Sequence, residues 1–305
     1  MTSGKIVLIT VPYDQADVLE DFLDWHLDHG IDLILAFDGG SIDGTVEILD
    51  HYAAGGRVVW FPLPDRDMSR FSIADELAAM ARDRFDARWI VYCDVDEFLS
   101  SNGNDLPAVL AGCEADGVTL IDIPRRTMTG PPLAPGLRAT EALTLRVDRT
   151  LVPTAAQQST WDFPVPFVFL EVGPHVAIRA SAFDAFGSGA HAATITWGKS
   201  AITDLYILHY AIRGYGELQQ KVRNTERWLA DNPHLNPGWG WHWRRWIQLE
   251  KEGRLREDYD AQFVGADRAR ELIAGGVCAI DTTVSAWLEE RKKSAASVLS
   301  RGAVS

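Results

Sequence analysis

Ile6-Val7-Leu8-Ile9-Thr10-Val11 is an unbroken apolar run, and Ile31 to Phe37 is a second. Short runs without polar alternation predict central parallel strands, buried on both faces. Between them, Asp17 to His29 carries Val18, Phe22 and Trp25 on one face, with Leu19, Leu23 and Leu27 beside it and Gly30 after the last turn. That is an amphipathic helix with a glycine stop, and the three pieces make one β-α-β unit with a right-handed crossover. The alternation continues. Asp43 is placed to cap a helix running to Tyr52, and Val58 to Phe61 is a third strand. Ser72 to Phe85 is a helix with Ile73, Leu77, Ala81 and Phe85 as its stripe. Trp89 to Cys93 is a buried strand, Asp105 to Glu114 a short helix and Val118 to Ile123 another strand.

From Pro124 to Pro174 the pattern loosens, and Phe167 to Val172 reads as a hairpin strand. Val176 to Arg179 and Leu205 to Tyr210 are further strands; Tyr215 to Asp231, Trp241 to Glu252 and Thr283 to Lys293 are helices. Residues 294–305 are small and polar, and are expected to fray. The fold class expected is α/β, with a C-terminal helical extension.

Composition narrows the partners. A formal net charge of -14 over 305 residues argues against a nucleic-acid backbone. Cys93, Cys113 and Cys278 are few, odd in number and without metal spacing, which points to a reducing compartment and no disulfide frame. Met1-Thr2-Ser3-Gly4-Lys5 runs straight into a strand, and no apolar run is long enough to span a bilayer. A cytoplasmic location is expected, with peripheral contact at the inner face of a membrane left open.

The chemistry concentrates where the Trp89–Cys93 run ends in Asp94-Val95-Asp96-Glu97. Two carboxylates two apart on extended chain point the same way. They repel unless a cation lies between them, and a hard divalent ion, Mg²⁺ or Mn²⁺, fits oxygen ligands. Such an ion can hold a diphosphate and neutralise it as it leaves. The alternative is a solvated acidic turn. Asp38-Gly39-Gly40-Ser41-Ile42-Asp43-Gly44-Thr45 offers a carboxylate at a strand end, placed for a ribose hydroxyl or a base N–H; a capped turn is the alternative. Five tryptophans lie between Trp228 and Trp246, suited to stacking on sugars. The spacing of Trp239, Trp243 and Trp246 equally suits a helical core. Arg244, Arg245, Arg254 and Arg256 read as a solvated face or as a contact for an anionic acceptor or membrane surface.

Taken in order, these residues resemble the nucleotide-sugar-dependent glycosyltransferases of the GT-A fold, in the family 2 branch and its family 92-like relatives. The likeness covers roughly residues 5 to 225: Pro12-Tyr13-Asp14, Leu19 to Gly30, the Asp38–Thr45 turn, Asp94-Val95-Asp96-Glu97-Phe98-Leu99, His191, and His209-Tyr210 with Arg213, Tyr215 and Lys221. Gly39 stands where the family usually has Asn or Asp, Pro12-Tyr13-Asp14 replaces Lys-Asn-Glu or Arg-Asn-Glu, and no clear Glu-Asp pair marks a base.

The resemblance implies a mostly parallel sheet with helices on both faces. It divides the chain into a catalytic domain over 1–212 and an extension over 213–305. The nucleotide-binding half would be about 1–125, and the acceptor and metal half about 126–212. It implies a sugar moved from a nucleoside-diphosphate donor, UDP- or GDP-linked, to the hydroxyl of a glycan, lipid or other acceptor, in cell-surface polysaccharide or glycoconjugate synthesis. Pro12, Asp14, Asp38, Asp43, Asp94 and Val95 would line the nucleotide sugar. Asp94 and Asp96 would hold Mn²⁺ or Mg²⁺, with His209 or His191 as a further ligand and Glu97 orienting the site from behind. Asp162 and Glu171 are the candidate bases, and Arg213, Lys221 and Trp228 candidate acceptor or phosphate contacts. A pyrophosphorylase-like enzyme should carry a Gly-rich, Lys/Arg-bearing loop after its first strand, and Pro12-Tyr13-Asp14-Gln15 is not one. The Gly39 and Tyr13 departures keep open a non-catalytic sugar- or nucleotide-binding scaffold on a degenerate fold of this type.

Overall fold

The computed structural model describes residues 4–63, 70–103, 105–151, 165–233 and 240–302. It divides into two compact units, Met1–Arg126 with Gly173–His209, and Thr127–Val172 with Tyr210–Ser305. The division is not the expected one at 212, because residues 127–172 cluster with the C-terminal region.

The first unit starts with β1 (Lys5–Thr10), α1 (Leu19–Asp28), β2 (Leu33–Asp38), α2 (Thr45–Ala53), β3 (Val58–Pro62), α3 (Arg70–Arg84) and β4 (Ala87–Tyr92). These follow the predicted order to within about two residues at each end. Next come β5 (Glu97–Ser101), α4 (Leu106–Ala115) and β6 (Val118–Ile123), with Asp105 capping α4 by accepting from Ala108 N–H at 2.7 Å. After β7 (Arg125–Thr129), α5 (Ala139–Ala142) and β8 (Leu145–Val147), the chain returns to the first unit. There it forms β9 (His175–Arg179), β10 (Phe183–Phe186), β11 (Ala193–Ile195), β12 (Lys199–Ile202) and β13 (Leu205–His209).

Seven strands form one sheet in the order β12-β6-β9-β4-β1-β2-β3. All pairings are parallel except those of β9, which is antiparallel to both neighbours. One face carries Val7, Ile9, Leu35, Phe37 and Ile90 into a core with Ile73, Leu77 and Ala81 of α3. Residues of the opposite face, Ile6, Leu8, Ile34, Ala36, Trp89 and Val91, are equally buried. Burial on both faces is what the unbroken apolar runs require. The chain lays β1, β2 and β3 outward, then returns to the other side of β1 as β4. The carboxyl ends of β1 and β4 therefore flank a topological switch point, the place where open α/β sheets leave a crevice.

β5 pairs antiparallel with β13, setting His209 opposite Glu97. The helix α1 serves this strand too: Trp25 Nε1 donates to Leu99 O at 2.8 Å, and Leu99 N donates to His26 Nε2 at 3.2 Å. His26 Nδ1 lies 2.8 Å from Phe22 O. Accepting at one nitrogen and donating at the other fixes a neutral ring, and burial pushes the His26 pKa down to about 3.

In the second unit β8 pairs antiparallel with β7 and with β14 (Cys278–Ile280). Around them are α6 (Tyr215–Asp231), α7 (Trp241–Lys251), α8 (Leu255–Asp260), α9 (Ala266–Ala274) and α10 (Thr283–Gly302). Trp246, Ile247 and Leu249 of α7 join Ile212, Leu218, Val222, Leu255 and Tyr259 in its core. Trp243 packs on Trp246 with centroids 5.1 Å apart, so two members of the tryptophan series serve packing; Trp239 lies outside the described residues. Two expectations change. Phe167–Phe169 is a single 3₁₀ turn after Pro166, with Val168 and Phe169 buried, so its apolar character reflects burial and not a strand. The last helix continues to Gly302, because residues 294–301 contain no Gly or Pro to stop it.

Candidate active site

At the end of β4 the chain reverses. Glu97 N–H donates to Asp94 O at 3.0 Å, and the Glu97 side chain returns to accept from Asp94 N–H at 3.0 Å. The reciprocal pair closes a turn over Asp94-Val95-Asp96-Glu97, so Asp94 and Asp96 are not on extended chain and meet different surroundings. Asp94 is 40% exposed at its side chain. Its Oδ1 accepts from Tyr92 Oη at 3.1 Å, and its Oδ2 lies 3.7 Å from His175 Nε2. Val95 is buried. Asp96 is nearly buried, with Oδ1 3.8 Å from Nε2 of His209, the last residue of β13.

Behind the turn is a sealed ionic cluster. Glu97 and His175 are wholly buried, and Arg125 is 8% exposed at its side chain. Arg125 Nη1 donates to Glu97 Oε1 at 2.8 Å, and His175 Nε2 lies 3.1 Å from Glu97 Oε2. The His175 ring stacks on that of His191, centroids 4.9 Å apart. Burial opposes a charge on His175, but Glu97 beside it, assisted by Asp94, outweighs burial and raises its pKa to about 9. Burial, with Arg125 and His175 nearby, lowers the His191 pKa to about 4, leaving that ring neutral. Glu97 stays ionised: burial works against it, and His175 and Arg125 more than compensate. At neutral pH, two carboxylates face two cations here.

No family model matches this chain, and no curated protein matches its sequence. Among solved structures, it is similar to residues 1–349 of TarS from S. aureus in complex with UDP-GlcNAc. The identity is 12% and the TM-score 0.43, over 67% of this chain and 58% of that one. It is also similar to a glucosyl-3-phosphoglycerate synthase from Mycobacterium tuberculosis in complex with Mn²⁺, UDP and glucosyl-3-phosphoglycerate. There the identity is 24% and the TM-score 0.29, over 41% of this chain and 45% of that one. Against a longer TarS structure it spans 29% of that chain.

The carboxylates at the ends of β1 and β2 are engaged locally. Asp38 accepts from Gly40 N–H and Ser41 N–H at 2.9 and 3.0 Å, and from Ser41 Oγ at 2.6 Å. Asp43 accepts from Ala16 N–H, Thr45 N–H and Thr45 Oγ1, at 2.9, 3.0 and 2.7 Å, so it tethers the start of α2 to the loop after β1. Asp14, at φ 51°, accepts from Ile42 N–H at 2.8 Å. Pro12 O accepts from Gly39 N–H at 2.8 Å. A Cβ on Gly39 would stand 2.9 Å from Tyr13 Cβ and 3.2 Å from Pro12 O, so the close approach of the two loops requires glycine there.

The remaining candidates belong to the second unit. Glu171 is exposed. Arg213 is buried, donating to Glu217 Oε1 at 3.0 Å; Lys221 Nζ is 3.1 Å from the same oxygen. Trp228 is half-buried. Asp162 lies outside the described residues. Sequence reasoning missed His175 and Arg125. Neither carries a motif, and only the antiparallel insertion of β9 beside β4 brings His175 to the turn.

Two donor sets could receive a divalent ion. Asp94, Glu97 and His175 place ligand atoms within 4.8 Å of one another. Asp96 and His209 face each other across 3.8 Å, too far for a hydrogen bond and within the span of two donors each about 2.1 Å from a shared ion. Carboxylate with neutral imidazole suits Mn²⁺. Both sets fit the chemistry, but Glu97 already accepts from Arg125 and from Asp94 N–H.

Proposed function

We propose that this chain is a metal-dependent glycosyltransferase of the GT-A type, moving a sugar from a nucleoside-diphosphate donor to an acceptor hydroxyl. The observation that carries the reading is the pair Asp96 and His209, set beside Asp94 where β4 ends at the switch point. Asp94, Asp96 and His209 would hold Mn²⁺ or Mg²⁺, with His191 as the other histidine candidate. The ion would supply electrostatic stabilisation of the departing diphosphate. Asp14, Asp38 and Asp43 shape the loops at the nucleoside end. Their carboxylates act first on their own backbone, so the contacts they leave for a nucleoside are their remaining lone pairs and the ordered loop amides. Glu171 and Asp162 are the candidate bases for an inverting displacement. Arg213, Lys221 and Trp228 are the candidates for acceptor or phosphate contact. The donor would be UDP- or GDP-linked, the acceptor a glycan or glycolipid, and the pathway cell-surface polysaccharide or glycoconjugate synthesis. The reaction would take place in the cytoplasm, with peripheral contact at the inner face of the membrane. No helix among the described residues is long and apolar enough to cross a membrane.

The internal engagement of Asp14, Asp38 and Asp43 favours one second reading, a binding scaffold without transfer. Calorimetric titration of UDP and GDP, with Mn²⁺ and with chelator, followed by a screen of nucleotide sugars for hydrolysis or transfer, separates them. A transferase shows metal-dependent nucleotide affinity and turnover. A scaffold shows no turnover, and absence of any metal-dependent affinity would falsify the metal site itself.

A further inference from the structure

A buried guanidinium and a buried carboxylate are costly unless each is paired and hydrogen-bonded. Arg125 and Glu97 meet that condition by linking distant pieces of chain. Arg125 Nε donates to Gly173 O at 2.6 Å, and its Nη1 donates to Glu97 Oε1 at 2.8 Å. Glu97 Oε2 accepts from Asp94 N–H at 3.0 Å. One line of contacts thus runs from the Gly173 carbonyl, two residues before β9, to the backbone of Asp94.

We propose that Arg125 and Glu97 are positioning residues for the Asp94–Asp96 turn. They fix the backbone from which both carboxylates project, and Arg125 keeps the Glu97 carboxylate from serving as a ligand. This rests on the reading that the turn holds a divalent ion, and it goes further by separating the two donor sets. If Glu97 were a ligand with Asp94 and His175, Arg125 would compete with the ion for it, and removing Arg125 would tighten metal binding. If Glu97 is a strut, removing Arg125 loosens the turn and weakens binding. The alternatives differ in sign.

The test uses the full chain and two probes, Mn²⁺ alone and UDP, with amide hydrogen exchange at Asp94 and Glu97 as a third readout. Arg125→Met should weaken Mn²⁺ binding by about tenfold or more, as loss of an outer-shell partner typically does, and should speed exchange of both amides. Arg125→Lys should recover part of each, because lysine returns the charge to Glu97 without the fork that also holds Gly173 O. Glu97→Gln, which keeps an acceptor for Asp94 N–H, should fall between wild type and Arg125→Met. Unchanged or tighter Mn²⁺ binding in Arg125→Met overturns the proposal, as do wild-type exchange rates at the two amides. Should Arg125→Met fail to fold, Arg125→Lys gives the same sign test, and amide exchange in Glu97→Gln reports the strut. If the wild-type chain binds no Mn²⁺ even with UDP, the functional reading fails. Exchange at Asp94 and Glu97 then still decides whether Arg125 positions the turn.

Discussion

Asp96→Asn and His209→Ala each remove one of two donors facing across 3.8 Å. Each should lower Mn²⁺ affinity at least as much as the roughly 10- to 100-fold loss seen for outer-shell partners, by calorimetry without nucleotide. His191→Ala should leave that affinity near wild type if its stacking on His175 is its main contact. Asp94→Asn tests something else. On sequence alone, two adjacent carboxylates repel, and removing one should leave the metal-free protein unchanged or more stable. The structure reverses the sign. Asp94 accepts from Tyr92 Oη and faces His175, so the local charges already balance. Asp94→Asn should therefore cost about 1 kcal/mol in chelator, the usual net scale of one hydrogen bond, read from urea midpoints. A midpoint that rises instead restores the repulsion argument.

At the scale of elements, the loop after β2 is built by Asp38, which accepts three hydrogen bonds. Asp38→Ala should cost roughly 1–3 kcal/mol and weaken UDP binding in parallel, whereas wild-type UDP affinity would remove Asp38 from the site. Gly198→Ala addresses the edge of the sheet: its φ is +90°, and an added Cβ would stand 2.2 Å from Thr119 Oγ1. Both strain and clash predict a loss of about 1–3 kcal/mol with β12 freed from β6. The strands β1 to β4 and helices α1 to α3 were readable because apolar runs and helical stripes are local signals. The turn at Asp94 was readable as chemistry, since carboxylates side by side at a strand end repel unless a cation lies between them, but not as geometry. Its closing contact is a side chain three residues on, and the cluster behind it comes from residues 125 and 175. His175 meets it only through β9, whose antiparallel direction no local pattern encodes, and Arg125 arrives as the first residue of β7. β5 was missed for a similar reason: its partners are His209 and the side chains of Trp25 and His26, far away in sequence.

Across the whole molecule, buried histidines set the response to pH in chelator. His26 and His191 have folded pKa values near 3 and 4, below the ordinary 6.5. The unfolded chain therefore binds more protons below 6.5, and stability falls as pH drops from there towards 4 and 3. His175 is raised to about 9, so its contribution is complete below 6.5 and is lost as pH rises through 9. Unfolding midpoints should peak near 6.5 and decline on both sides, with His26→Gln flattening the acid limb; an acid limb unchanged in His26→Gln means another group governs it. The three cysteines add a different consequence. Cys93, Cys113 and Cys278 are buried free thiols, and burial raises the pKa of each. A sealed, protonated sulfur reacts with an alkylating reagent only when the fold around it opens. Cys93 adjoins the Asp94 turn and Cys278 begins β14 in the other unit, so the chain carries its own clocks. Their labelling rates time the breathing of each unit separately, and a nucleotide and metal bound at the turn should slow the one at Cys93 while the one at Cys278 runs on.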